Sequence, residues 1–466
     1  MLTARLRTCL SLALLAPTVA LAGPPLDGTL DTSFNNTGRR MVAFDLHASG
    51  LDAGRDVAVD AQGRVYLVGT VVAANGDNQI GIARLLPTGA LDTSYGNNGR
   101  VVAAAGAQIT GMKAAFDSQG ALLVAGSRLI SGTNEDFAVC RFSTSGQLAA
   151  FPGNPQSLAC LSVSFDIGGN NRDLLRDIAV DGQGRIYLAG NVGFSDTFVQ
   201  AGVMRLLPNG TLDATFGNGG RAFHLANGFQ RHDVRAMAVQ DNGRVWLAGA
   251  AVANGRTDTD AMILRLNATG GLDGTLNGTG IRTYSVGEEL ADMQFNAIVF
   301  DQSMPQTDSP YALVVGQRQE SVGSSTLRGM AGSIRFDGLP RLDFGTNGFD
   351  TYASGSLVFN DVVQHSDGTA VAVGTVTPAP GVPSDFFAVR IGRTGGQDTS
   401  FNAPQGRIAI DFGTSGGQDT GLAIAHHGGR YYLAGSVLWA APADLDFGVA
   451  VLHRERIFRS RFQTSQ

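Results

Sequence analysis

The ten residues DAQGRVYLVG, Asp60–Gly69, return throughout the chain and decide its fold. Related runs read DSQGALLVAG, DGQGRIYLAG, DNGRVWLAG, SPYALVVG, SDGTAVAVG and HGGRYYLAG, and the closing glycines of the whole set are Gly69, Gly126, Gly190, Gly249, Gly316, Gly374 and Gly435. Self-similarity at a regular spacing, here roughly sixty residues, indicates a repeat architecture. We therefore predict that residues 23–466 form a single array of seven similar units.

Each unit contains four short apolar runs separated by turn residues. In the first full unit these runs are Asp56–Asp60, Arg64–Gly69, Ile80–Leu86 and Arg100–Ala103. The second run is apolar throughout, which is typical of a strand covered on both faces. Covered four-stranded units that repeat along a chain are typical of β-propeller blades. The sequence predicts an all-β fold, a seven-bladed β-propeller of four-stranded antiparallel blades, with a superhelical stack as the alternative.

The two ends of the chain complement each other. The N-terminal run LDTSFNNTGRRMVAF, Leu30–Phe44, matches the end of a unit that lacks its first three strands. The C-terminal run FGVAVLHRERI, Phe447–Ile457, matches a third strand with no fourth strand after it. We therefore predict that the N-terminal strand Arg39–Phe44 completes the last blade beside Val449–His453 and closes the ring, which removes free sheet edges.

The third-to-fourth-strand loops resemble those of a known family. ARLLPTGALDTSYGNNG, MRLLPNGTLDATFGNGG, LRLNATGGLDGTLNGTG and IRFDGLPRLDFGTNG are similar to the delta-60 repeat, a bacterial family assigned to β-propellers. The second unit departs from it, with GQLAAFPGNPQSLAC in place of the LDTSYG-type run. The resemblance implies the propeller fold and brings no assigned activity or catalytic residue.

These Gly-rich loops could be a ligand cradle or a scaffold. An aspartate recurs in the loop (Asp31, Asp92, Asp213, Asp273, Asp343 and Asp398) and an arginine recurs on the strand before it (Arg84, Arg141, Arg205, Arg265, Arg335 and Arg390). A ligand loop is expected in one blade, whereas this loop occurs in nearly all of them. We interpret it as scaffold, in which the aspartate accepts backbone hydrogen bonds and pairs with the arginine.

The N-terminus predicts export. Arg5 and Arg7 precede an apolar stretch of secretory length, and Ala20–Ala22 supplies a small-x-small cleavage site. We predict that residues 1–22 are a signal peptide and that the mature protein is periplasmic or extracellular. No later run is long and apolar enough to span a bilayer, so no membrane insertion is expected. The net charge of −6 argues against nucleic-acid partners.

Two cysteines remain in the mature chain, Cys140 and Cys160. In an oxidising compartment, cysteines this close in sequence favour a disulfide. The alternative is a pair of small buried thiols.

The candidate ligand site lies at one end of the blades. In a propeller, the second-to-third-strand loops and the connections between blades share one face, which we call the variable face because these segments differ from unit to unit. Binding residues concentrate on such loops. Trp439 is the candidate for stacking on a sugar or peptide, or else a hydrophobic residue that covers the blade. The other candidate ligand-binding residues are Asp136, Asp260, Asp385, Asp446, His224 and His232.

The four aspartates raise the question of a metal. A ring of carboxylates is a possible calcium site, although their shared repeat position also fits a structural turn residue. No other cofactor is expected. His224 and His232 share a connection between blades and are either ligand-facing or ordinary surface histidines.

We predict a binding or scaffolding module whose partner is an extracellular polysaccharide, a peptide or an envelope protein. The alternatives are a secreted hydrolase or lyase with its site at the central channel, and a purely structural surface protein. The fold alone does not separate them.

Overall fold

A computed structural model describes residues 27–47, 50–104, 108–167, 171–193, 198–287, 290–301, 311–413, 416–440 and 443–454. The predicted signal peptide, residues 1–22, lies outside the described residues. Every helix or strand assigned within these ranges is a β-strand.

The strands follow one another at short intervals. They are β1 (Arg39–Val42), β2 (Ala53–Val59), β3 (Val65–Val72), β4 (Asn78–Leu85), β5 (Arg100–Ala103), β6 (Ile109–Phe116), β7 (Leu122–Ser131), β8 (Asn134–Phe142), β9 (Cys160–Val163), β10 (Arg172–Val180), β11 (Ile186–Gly193), β12 (Val199–Leu206), β13 (Arg221–His224), β14 (Phe229–Val239), β15 (Val245–Ala253), β16 (Asp260–Leu266), β17 (Ile281–Tyr284), β18 (Met293–Phe300), β19 (Ala312–Gln319), β20 (Leu327–Ile334), β21 (Phe349–Tyr352), β22 (Ser356–Gln364), β23 (Ala370–Thr377), β24 (Asp385–Ile391), β25 (Arg407–Ile410), β26 (Asp419–His427), β27 (Arg430–Ala440) and β28 (Ala443–His453). The four strands predicted for the first unit are confirmed as β2 to β5.

The strands pair in antiparallel sets of four. The sets β2–β5, β18–β21 and β22–β25 are separate sheets, and β26–β28 form a fourth sheet with β1. The strands from β6 to β17 contain three more sets, β6–β9, β10–β13 and β14–β17. Single parallel contacts between Glu135 and Arg172 and between Val199 and Arg231 join these sets into one sheet. The fold is all-β and propeller-like.

The first strand of each set contains a β-bulge opposite the closing glycine of the second strand. In β2 the register shifts between Gly54 and Asp56, so that Arg55 is the extra residue. A Cβ atom at Gly69 would collide with the carbonyl oxygen of Ala53, and one at Gly435 with that of Thr420. The repeated glycine is therefore required because the bulged backbone lies directly against it.

The first strands contact one another in chain order. Contacts join β2 to β6, β6 to β10, β10 to β14, β14 to β18, β18 to β22 and β22 to β26, and β26 in turn contacts β2. The aspartate that follows the bulge accepts a backbone hydrogen bond from the first strand of a neighbouring set. Asp56 accepts from Ala114 N at 2.8 Å, and Asp361 accepts from Ile424 N at 2.9 Å. Bulge geometry thus places side chains of successive sets against each other.

The predicted arginine–aspartate pairs of the Gly-rich loops are present in four sets. Nε–Oδ2 distances are 2.8 Å for Arg84–Asp92, 2.8 Å for Arg205–Asp213, 2.9 Å for Arg265–Asp273 and 2.8 Å for Arg390–Asp398. Arg84 also donates to Thr144 O at 2.6 Å, and Arg205 to Ala268 O at 2.7 Å, in the turn of the following set. The loop residues therefore link neighbouring turns, as the scaffold interpretation predicts.

Three units depart from this pairing for local reasons. Arg141 pairs with Asp117 because its own loop has no aspartate. Arg335 pairs with Asp337 at the surface. Asp31 forms an ion pair with Arg430 because Val451 occupies the strand position that holds arginine in the other units.

The predicted pairing of the N-terminal strand with the last strand is found. β1 pairs with β28 through Arg39–Ala450, Arg40–Val449, Met41–Gly448 and Val42–Phe447. Val449 and Ala450 lie within the predicted segment Val449–His453, and the pairing also extends back to Phe447. Further along the predicted segment, Leu30 bridges to Leu452, while Phe44 packs on Phe447 with ring centroids 5.0 Å apart.

Cys140 and Cys160 are directly opposite each other on β8 and β9 and form a disulfide.

Candidate functional site

The four candidate aspartates lie in strands and not in loops. Asp136 is in β8, Asp260 begins β16, Asp385 begins β24, and Asp446 is in β28. Among the described residues no metal-sized cluster contains two of them; Asp385 groups with Asp411 and Asp419, and Asp446 with Asp45 and Asp444. The calcium ring suggested by their shared position is therefore not assembled in the described part of the chain.

Trp439 lies near the end of β27, next to the connection to β28. Its indole N–H donates to Asp446 Oδ2 at 3.0 Å, and the residue is 36% exposed. The ring is thus fixed by a neighbouring strand, with about a third of its surface available for contact.

The prediction that His232 faces a ligand or solvent is wrong. His232 is 0% exposed within β14, and its Nδ1 lies 3.3 Å from His224 O. Burial lowers its pKa to about 4, so the ring is neutral at ordinary pH. His224 lies at the end of β13, where Nε2 is 2.8 Å from Gly270 O. Sequence reasoning missed the burial because β14 begins earlier than the apolar pattern suggested.

A polar cavity of about 340 Å³ opens on the variable face between two sets. It is lined by ends of β14 and β15 on one side and of β18, β19 and β20 on the other. Its polar side chains are Arg231, Asp233, Arg235, Thr257, Thr259, Asp292, Gln294, Gln317 and Gln319. Guanidinium, amide and hydroxyl groups therefore converge on one hollow.

Asp233 organises the arginines beside this cavity. Its Oδ2 accepts from Arg231 at 3.1 Å and from Arg235 at 2.8 Å, and its Oδ1 accepts from Asn191 at 2.6 Å. Asp233 is 6% exposed, whereas the Arg231 and Arg235 side chains are 43% and 33% exposed. A single buried carboxylate thus holds two solvent-reaching guanidinium groups in place.

A third arginine adds positive charge. Arg176, in the preceding set, is electrostatically coupled to Arg235, to the carboxylate of Asp233, and to Arg231 and Arg172, and it forms no direct ion pair among the described residues. Burial, followed by the like charge of Arg235, lowers the pKa of Arg176. Arg172 is paired with Glu135 at 2.7 Å. The cluster favours a ligand that brings negative charge.

The sequence contains a repeat pattern that marks two members of this cluster, Arg176 and Arg235. Arg55, Arg176 and Arg235 occupy one repeat position in the runs RDVAV, RDIAV and RAMAV. Each is the extra residue of its bulge. This shared repeat position places all three on the first strands of their sets, where consecutive sets are in contact.

Sequence comparison supports a β-propeller repeat. Residues 62–95 and 184–216 match a family described as a domain of unknown function (DUF5122) beta-propeller. Both stretches run from the tight turn through the second and third strands to the Gly-rich loop. No curated protein matches the sequence. The narrower resemblance to the delta-60 repeat stays a prediction.

Several solved structures are similar in fold. An ulvan lyase of polysaccharide lyase family PL25 is 10% identical, with 89% of this chain and 96% of that chain covered and a TM-score of 0.44. The α-L-arabinofuranosidase Arb93A from Fusarium graminearum is 12% identical, with 73% and 91% covered and a TM-score of 0.41. Drosophila semaphorin 1a, extracellular domains 1–2, is 9% identical, with 91% and 90% covered and a TM-score of 0.44. These similarities are weak and support no inference about activity.

Within the described residues, no helix has the length and apolar character needed to cross a membrane.

Proposed function

We propose that the protein is an exported, seven-bladed β-propeller that binds an acidic polysaccharide at the cavity of the variable face. The observation that carries the ligand class is the arginine cluster of Arg176, Arg231 and Arg235. Export is supported by the leader-like residues 1–22.

Closure of the propeller is supported by contacts between the first and last sets. Arg430, which begins β27, donates to Pro87 O at 2.7 Å, in the loop that follows β4 of the first set. Ser436 donates to Gly54 O at 3.0 Å. Together with the β26–β2 contact, these bonds favour a ring of seven blades over a superhelical stack.

The polar groups of the cavity suit a sugar acid. Arginine binds carboxylate and sulfate groups through paired N–H donors, and the glutamine and threonine side chains offer both donors and acceptors for hydroxyl groups. Arg231 and Arg235 are already oriented by Asp233, so little side-chain entropy is lost on binding. An extended polymer would also reach Arg176 in the preceding set.

A secreted hydrolase or lyase remains the competing function. Its support is a set of buried carboxyl groups, in Asp173, Asp419 and Asp446, each with its pKa raised to about 6 mainly by burial. Such groups are suited to proton transfer near neutral pH. New reducing ends on incubation with a bound polysaccharide would favour catalysis over binding alone.

The test is calorimetric titration with polygalacturonate and, as the uncharged comparison, dextran. We expect binding of the acidic polymer alone, and at least a tenfold loss in the Arg231→Gln/Arg235→Gln and Arg176→Gln variants, because a hydrogen bond to a charged group contributes about 1.5–3 kcal/mol. Arg185→Gln is the matched control, since Arg185 pairs with Asp181 at the tight turn on the opposite face. Equal loss in the control, or equal affinity for both polymers, would contradict the proposal.

A further inference from the structure

Two groups of three carboxylates occupy similar places in the last two sets. One group comprises Asp385, Asp411 and Asp419, and the other comprises Asp45, Asp444 and Asp446. Within each group, one oxygen of every carboxylate lies within 4.8 Å of the others. Each group joins the start of a third strand to the connection that follows a fourth strand.

Each group contains a buried carboxylate oxygen without a hydrogen-bond donor. Asp419 is 1% exposed and Asp446 is 5% exposed, and the Oδ1 atoms of both are buried and unpartnered. Asp444 Oδ1 is buried and unpartnered as well. A buried anion in this state is costly unless an ion or donor compensates it.

The second oxygen of each buried carboxylate is held by the protein. Asp419 Oδ2 accepts from Phe412 N at 3.0 Å, and Asp446 Oδ2 accepts from the Trp439 indole at 3.0 Å. In the second group, Asp52 adds another buried carboxylate beside Asp45, whose backbone N–H it accepts at 3.1 Å. The carboxylates of Asp419 and Asp446 are therefore each held through Oδ2, which leaves Oδ1 available to bind an ion.

Protein cations do not neutralise the first group. Arg39 donates to the carbonyl oxygen of Asp411 and forms no ion pair with the three carboxylates among the described residues. The charge of this group is thus unmatched within the described part of the chain.

We infer that each of the two groups binds one calcium ion. Calcium prefers six to eight oxygen ligands, including carboxylates in one- or two-oxygen contact, and water completes such sites. Three carboxylates held on strands and their connections supply that chemistry. The ion of the first group would join two neighbouring sets, since Asp419 begins β26 whereas Asp385 and Asp411 belong to the set β22–β25. Affinities of about 10⁻⁴–10⁻³ M are typical of extracellular calcium modules.

Three aspartates at the boundary between the second and third sets provide an internal control. Asp136, Asp166 and Asp173 correspond to the first group and are electrostatically coupled, and Asp173 is also 1% exposed, with an Oδ1 that is buried and unpartnered like that of Asp419. These three are not gathered into a metal-sized cluster among the described residues. Asp173→Asn therefore removes an equally buried carboxylate without removing a proposed ligand.

The experiment is titration of the metal-free full-length protein with CaCl₂ at constant ionic strength. We expect two calcium ions per chain for the wild type and for Asp173→Asn, and one for Asp419→Asn or Asp446→Asn. Asp385→Asn, at the half-buried edge of the first group, should weaken that site at least tenfold while perturbing the fold less. Absence of binding at 10 mM calcium, chosen at about ten times the weakest affinity above, or unchanged stoichiometry in these variants, would overturn the inference.

Fluorescence distinguishes the two sites. Trp439 bonds to Asp446, whereas the other tryptophan, Trp246, is fully buried elsewhere. Addition of calcium should change the tryptophan emission of the wild type and of Asp419→Asn. It should leave the emission of Asp446→Asn and of Trp439→Phe unchanged. The same response in Asp446→Asn would refute the assignment of the second site.

Discussion

Replacing Arg205 with methionine tests whether the arginine–aspartate pairs hold neighbouring sets together. Arg205 is 2% exposed. Its guanidinium donates to Asp213 at 2.8 Å, to Thr215 Oγ1 at 2.9 Å and to Ala268 O at 2.7 Å. Methionine keeps much of the apolar stem but removes all three bonds. Asp213, which is 6% exposed, then loses its cationic partner.

The size of the effect follows from this geometry. Removing one member of a buried ion pair costs about 3–5 kcal/mol, because the remaining charge stays desolvated and uncompensated. At about 2 °C for each kcal/mol in a large domain, the melting temperature should fall by about 6–10 °C. Arg205→Met/Asp213→Asn should recover part of the loss, since it removes the uncompensated charge.

The assay is urea-induced unfolding, with thermal melts at a fixed scan rate. Arg335→Met is the matched control, because Arg335 has the same repeat position but pairs with Asp337 at the surface, with side chains 48% and 42% exposed. Exposed pairs contribute about 0–1 kcal/mol, so this variant should melt almost like the wild type. Equal losses in the two variants, or a loss below about 1 kcal/mol for Arg205→Met, would refute the reasoning.

Two other predictions concern the chain ends and a buried histidine. Deleting residues 27–42 should lower the melting temperature sharply, because β28 loses its partner β1 and uncovers Val449, which is fully buried; an unchanged melt by circular dichroism would contradict the pairing. His232, with its pKa lowered by burial from 6.5 to about 4, stays neutral in the folded state while the unfolded chain takes up a proton. Stability from this group is therefore complete above pH 6.5 and should decrease by about 3 kcal/mol as the pH falls to 4. His232→Leu should flatten that part of the pH profile of urea unfolding, and a variant with the wild-type slope would disprove the assignment.

The fold could be predicted because residues with the same structural role recur at the same position in successive repeats. The closing glycine, as at Gly69, is required because the bulged first strand lies against the second strand at that point, so glycine recurs in every unit. The arginine–aspartate pair was recognisable because Arg84 and Asp92 recur at a fixed spacing. Arg335 shows where this reasoning stops: a neighbouring acid, Asp337, competes for the same guanidinium group.

The candidate site was harder to predict because it is assembled between units. Arg176 and Arg235 lie far apart in sequence and come together only where consecutive first strands meet. The grouping of Asp419 with Asp385 likewise depends on a contact across sets. For His232, sequence could not reveal burial, since the polar character of the residue and its position near a connection both suggested exposure.

The pairing of β1 with β28 has a consequence for biogenesis. If the chain is exported from its N-terminus, as proposed above, Arg39–Val42 reaches the far side of the membrane long before Ala443–His453. That early segment must wait without a partner while the intervening sheets form, with Met41 and Val42 uncovered. Successful folding therefore depends on how fast the remainder follows, and slow translocation would favour pairing of the waiting strand with another molecule.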